Sequence, residues 1–169
     1  MLRQFVLNPN QLLPEDWYPE LAPAQITIHS LKTGRQIQEP SLIAAARSQP
    51  DKLAAAGGQA LSYQNDPDMV VFSPFRQGQI AHYPAAQALI KTLLKQAGHG
   101  AVSIPKPVMC VHIQERTTQV EEQALAEAAI QCGARKVFLY TDSLPATLEC
   151  ARGRRDLQNA VLIHIEPQE

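Results

Sequence analysis

Residues 108–140, VMCVHIQERTTQVEEQALAEAAIQCGARKVFLY, carry the clearest structural signal in the chain. Val108 to Ile113 is a short apolar run that suits a buried strand, and Val137 to Tyr140 is another. Between them Thr118-Gln119-Val120-Glu121 spells the capping box [ST]-x-x-E, in which a hydroxyl and a carboxylate each satisfy a backbone N–H at a helix start. Apolar residues then recur at helical spacing at Val120, Ala124, Leu125, Ala128 and Cys132, and Gly133 supplies the stop. Arg135 and Lys136 put positive charge where a helix C-terminus favours it. Strand, helix, strand in this order predicts a βαβ unit with a right-handed crossover, and so a sheet with a parallel portion.

Working outward, Pro84 opens a second helix whose Leu89, Leu93, Leu94 and Ala97 share a face, with Gly98 at its end. Gln25 to His29 alternates as a strand, Met69 to Phe72 is a third short strand, and Gly78 to His82 is expected beside it. Residues 44–60 are Ala-rich with Pro50 among them and fit helix or strand equally. Downstream, Ser143 caps a short helix from Leu144 to Arg152 that stops at Gly153, and Ala160 to Ile165 reads as the last strand. The pattern is α/β with mixed strands, expected as one domain over residues 1–169.

Composition narrows the function classes. With 15 Lys+Arg against 16 Asp+Glu the net charge is -1, and the largest basic cluster is Arg152, Arg154 and Arg155, so nucleic acid is not an expected partner. No apolar run approaches the roughly 20 residues of a transmembrane helix. The start reaches Asn8, Pro9 and Asn10 before an apolar signal region forms, and a cytoplasmic location is expected. Cys110, Cys132 and Cys150 are widely spaced in apolar stretches and read as reduced thiols, while the five His show no HxxxH or HExxH spacing, so no metal site is expected. There are only 8 Gly and no GxGxxG or GxxxxGK[ST], the strings that let backbone N–H groups approach phosphate.

Four strings, in order along the chain, resemble the bacterial actin-like, rod-shape-determining MreB family. They are Gln38-Glu39-Pro40-Ser41; Ser73-Pro74-Phe75-Arg76-Gln77-Gly78-Gln79-Ile80-Ala81, like R-P-M-x-x-G-x-I-A; Thr118-Gln119-Val120-Glu121, like T-x-V-E-R; and Gly133-Ala134-Arg135-Lys136-Val137-Phe138-Leu139, like G-A-R-x-V-F-L. Met1-Leu2-Arg3-Gln4-Phe5 is also similar to the family's start. The resemblance implies a ribonuclease-H-like, actin-like ATPase domain with a mixed sheet flanked by helices, equivalent to the first of the family's two domains, with residues near 40–75 as a small outer subdomain.

It further implies where ATP would bind, and the residues there depart from the family. The first phosphate loop, D-x-G-T, falls on Glu20, Leu21, Ala22 and Pro23, so the Gly is lost and Pro23 has no N–H to donate. The water-activating Glu falls near Asp142 of Thr141-Asp142-Ser143. The second loop, D-x-G-G-G, falls on His164-Ile165-Glu166-Pro167-Gln168, with a His for the metal-side carboxylate and Glu166 where polyphosphate would sit. Glu20, Asp142 and His164 are thus degenerate remnants, and no catalytic residue, nucleotide cofactor or metal is expected. Leu2, Phe5 and Val6 have the i, i+3, i+4 spacing of a short membrane-surface helix, which Pro9 limits to about two turns. The leading expectation is a catalytically inactive actin-like half-domain that works as a protein-interaction module, with an actin-like filament protein or a second copy as partner. The rival is a small-molecule, nucleotide or metal sensor using the remnant cleft.

Overall fold

The computed structural model of the chain describes residues 24–100 and 105–166. In chain order the elements are β1 (Gln25–Ser30), β2 (Gln36–Pro40), β3 (Ile43–Ala46), β4 (Gln49–Ala56), β5 (Met69–Phe72), β6 (Phe75–Arg76), β7 (Gln79–Ile80), α1 (Tyr83–Gln96), β8 (Val108–His112), α2 (Gln119–Gln131), β9 (Lys136–Tyr140), α3 (Leu144–Arg152) and β10 (Ala160–Ile165). Short 3-10 turns lie at Gly57–Tyr63 and Arg155–Leu157.

The βαβ unit forms as its sequence dictates. β8 and β9 are parallel, paired from Val108 with Lys136 to His112 with Tyr140. At the start of α2 the Thr118 N–H donates to the Glu121 carboxylate at 2.7 Å while the Glu121 N–H donates to the Thr118 hydroxyl at 3.4 Å. At its end Gly133 takes φ +108°, and the Ala134 N–H reaches back to the Ala129 carbonyl. The buried stripe differs from the expected one. Leu125, Ala128 and Ala129 are buried, whereas Val120 is 75% exposed. Five residues before Leu125, Val120 projects about 140° around the helix from it, away from the sheet.

The main sheet has five strands in the order β2-β1-β10-β8-β9. β1 and β2 form an antiparallel hairpin. β10, the last strand in sequence, enters the middle, antiparallel to β1 and parallel to β8. Its successive residues serve opposite faces: Val161, Ile163 and Ile165 join Leu89, Leu93 and Leu125 of α1 and α2, while Ala160 and Leu162 join Ala151 of α3. A strand covered on both faces is apolar throughout, which explains the run AVLIHI. The opposite placement of α2 and α3 follows from right-handed crossovers, because the chain steps outward from β8 to β9 and then returns past β8 to β10.

A second sheet, in the order β4-β3-β5, is antiparallel. The Ala-rich stretch is therefore mostly strand: Ile43, Ala44 and Ala45 are fully buried, and tertiary packing overrides the helix propensity of alanine. Pro50 is tolerated because β4 lies at a sheet edge. Gln79–Ile80 pairs with Phe75–Arg76, not with Met69–Phe72 as the sequence led us to expect. The cause is a two-residue turn in which Gln77 and Gly78 have φ of 51° and 78°, the geometry that matches hairpin twist.

The α1 cap was not anticipated. His82 precedes the helix, and its Nδ1 accepts from the Ala85 N–H at 3.1 Å. Its ring stands edge-on to Phe72 of β5, 5.4 Å between centroids, so one imidazole ties the second sheet to α1.

Two apolar truncations test the burial pattern. Ile163→Ala should lower unfolding free energy in urea by about 2–5 kcal/mol, whereas Val120→Ala should change it by less than about 0.5 kcal/mol.

Candidate functional site at the carboxyl ends of the parallel strands

The three parallel strands end on the same edge of the main sheet. His112 closes β8, Tyr140 closes β9, and His164 stands next to last in β10. Strand alternation puts all three on the α3 side. The rings of His112 and His164 lie 4.2 Å apart and tilted by 43°, and Tyr140 meets His112 edge-on at 5.3 Å. The Tyr140 hydroxyl donates to the Ile163 carbonyl at 3.5 Å, and His164 Nδ1 is buried without a hydrogen-bond partner among the described residues.

The electrostatics of this row favour uncharged rings. Burial lowers the His112 pKa, with the neighbouring His164 adding to the effect and a hydrogen bond with the Thr141 backbone opposing it. Burial also lowers His164, against the Glu166 carboxylate. The Tyr140 phenol is pushed far up by burial. At neutral pH the row is two imidazoles and a phenol, able to exchange hydrogen bonds and to stack but carrying no charge. Among the described residues no group of three or more His, Cys, Asp or Glu is placed to hold a metal ion.

Of the residues singled out by sequence, Asp142 lies just beyond β9 and is exposed, His164 is half-buried, and Glu20, Leu2, Phe5 and Val6 lie outside the described residues. His164 is joined by His112, which the sequence reading passed over. The available signal was that VMCVHI and AVLIHI each carry a His at the fifth position of a buried strand.

The chain's one Gly-Gly pair serves an internal carboxylate. Glu39 Oε2 accepts from the Gly58 N–H at 2.7 Å, and a Cβ on Gly58 would stand 2.9 Å from that oxygen. Ser41, fully buried, faces Ser73 at 3.4 Å between hydroxyl oxygens, and the Ser73 hydroxyl donates to the Phe75 carbonyl. The Glu39-Pro40-Ser41 and Ser73-Pro74-Phe75 strings thus brace the junction between the two sheets. The thiols of Cys110 and Cys132 are each pushed up to about 11 by burial, which keeps them protonated. No helix of the described residues is long and apolar enough to cross a membrane.

A mixed five-stranded sheet with helices on both faces and a smaller sheet set off the hairpin edge is an actin-like arrangement. Its solved neighbours agree: MreB5 of Spiroplasma citri bound to ADP, with a TM-score of 0.56 at 23% identity over 77% of this chain and 41% of that one, and the MamK double helical filament, with 0.58 at 12% identity over 72% and 38%. The sequence profile described as MreB/Mbl protein matches residues 20–163, and the chain belongs to that family. Among curated relatives, the cell shape-determining protein MreB of Haemophilus influenzae is 28% identical over 142 residues, 81% of this chain and 40% of that protein. The cell shape-determining protein Mbl of Bacillus subtilis is 28% identical over 132 residues, 76% of this chain and 39% of that protein. The chain spans about two fifths of the length of these relatives.

The histidines set a pH dependence. His82, His99, His112 and His164 all have pKa values below the ordinary 6.5, in each case chiefly through burial. The folded form therefore binds fewer protons than the unfolded chain once pH falls below 6.5, so their contribution to stability is complete above that value and declines as the solution is acidified. Unfolding free energy from urea titrations should fall between pH 6.5 and 5, by at most about 1.4 kcal/mol per pH unit for each histidine. His112→Phe should make the decline shallower.

Proposed function

We propose that the chain is an actin-like half-unit that does not hydrolyse nucleotide and acts through protein contacts in the cytoplasmic cell-shape or filament apparatus, with an actin-like filament protein or a second copy of itself as partner. The observation that carries this reading is the chemistry at the strand ends. A Mg-polyphosphate asks for a metal-side carboxylate, backbone N–H groups and a cationic field. The described edge offers two neutral imidazoles, a phenol and the Glu166 carboxylate instead. At about 4 Å a carboxylate and a phosphate charge repel by about 1 kcal/mol even at the dielectric of water. In sequence, the loop counterparts contain Pro23 and Pro167 and no Gly.

Kinship supports the second half of the reading. The relatives are cell shape-determining proteins, and one structural neighbour is a filament. A second reading, a ligand or metal sensor at the same edge, draws on the unpartnered Nδ1 of His164 beside His112.

Calorimetry separates the two. The full chain should give no binding heat with MgATP or MgADP and no phosphate release above background, while co-eluting with the host's full-length MreB-type protein or forming dimers in sedimentation. Saturable heat with nucleotide or Zn²⁺, abolished by His164→Phe, would replace the association reading by the sensor reading. Absence of any self-association or co-elution across a range of salt would remove the association reading.

A further inference from the structure

At the opposite edge of the main sheet, the ends of α1 and α2 and the approach to β8 enclose a cavity of about 420 Å³ whose wall includes Lys91, Lys95, His99, Lys106, Met109 and Cys132. Among the described residues no Asp or Glu lines it. Lys91 and Lys95 stand at i and i+4 on α1, a spacing at which like charges repel and destabilise a helix. Lys95, in the last turn, suits the negative end of the helix dipole, but that account does not extend to Lys106 on the strand approach. The one side-chain ion pair among the described residues is Arg154 with Asp156, so none of the three lysines has a carboxylate partner among them.

The second observation is His99, which is 5% exposed. Its Nε2 lies 2.6 Å from the hydroxyl oxygen of Ser30, which also accepts from the Thr33 N–H at 3.2 Å. Ser30 is fully buried, and among the described residues the acceptor within reach of its proton is His99 Nε2. The serine therefore donates, the imidazole proton resides on Nδ1, and that N–H is buried with no acceptor among the described residues. An unmet buried donor is destabilising, and an anion would relieve it. Several carbonyls at the two helix ends have donors of their own: Leu94 the His99 N–H, Gln96 the Arg35 guanidinium, Ala97 the Thr33 hydroxyl, and Ala129 the Ala134 N–H.

We propose that this cavity binds a phosphate group, of a soluble phosphate compound or of a lipid headgroup, with Lys91, Lys95 and Lys106 supplying charge and His99 Nδ1–H the directional donor. The proposal does not depend on the association reading. The test titrates the full chain with pyrophosphate by calorimetry and, in parallel, with phosphatidylcholine vesicles with and without phosphatidylglycerol. Lys95→Gln with Lys106→Gln should weaken pyrophosphate binding about tenfold or more, while Lys52→Gln, on the outer sheet, should leave it within about twofold. His99→Gln, which keeps an N–H, should bind better than His99→Phe; the lysines are exposed, so their variants keep the test decisive if the His99→Phe protein does not fold. Binding to phosphatidylglycerol vesicles alone, lost in the same double variant, assigns the phosphate to a lipid. Absence of binding to both probes, or equal losses in the double variant and in Lys52→Gln, overturns the proposal.

Discussion

The structure hangs on one strand pairing: β10 between β1 and β8. Without it the hairpin β1-β2 and the unit β8-α2-β9 have no backbone hydrogen bonds to each other, and both would present open strand edges. With it, Val161 and Ile163 close the core under α1 and α2, and Leu162 closes the one under α3. The same strand carries His164 to the edge where His112 and Tyr140 end. Core and candidate site are thus set by a single insertion.

Local features were legible in the sequence, and partners were not. The capping box at Thr118, the stops at Gly133 and Gly153 and the apolar face of α1 are decided by residues a few positions apart, and they stand where the sequence puts them. The central seat of β10 depends on residues far along the chain, and AVLIHI says that both its faces are buried without saying between which neighbours. Residues 44–60 stayed ambiguous in the sequence because alanine's helical preference is a few tenths of a kcal/mol per residue, less than the burial of Ile43, Ala44 and Ala45 supplies to the strand. Val120 misled, since five matching positions do not fix which edge of a broad stripe faces the sheet. At the strand ends, His164 was legible through its alignment with a phosphate loop. His112 was not, because its meaning arises from register with β10.

Family resemblance and local chemistry carry different information here. The strings that tie the chain to the MreB/Mbl family mostly do mechanical work: Glu39 holds the Gly57-Gly58 turn, Ser41 meets Ser73, and Gln77-Gly78 turns the small hairpin. Such positions keep the fold recognisable, while the carboxyl ends of the parallel strands carry the ring row His112, Tyr140 and His164. Fold is then evidence of ancestry, and the edge is evidence of use.

The seat of β10 also bears on how the sheet can be assembled. Ile26 and Ile165 are paired although nearly the whole described chain separates them, so the β1–β10 pairing is the kind of long-range contact that slows folding. With that strand out of place, hairpin and βαβ unit would be two half-sheets whose inner edges are complementary to the same segment. Any other extended apolar segment, from a neighbouring nascent chain for example, competes for that gap. Speed of closure therefore sets how much chain matures and how much is captured in strand-exchanged aggregates.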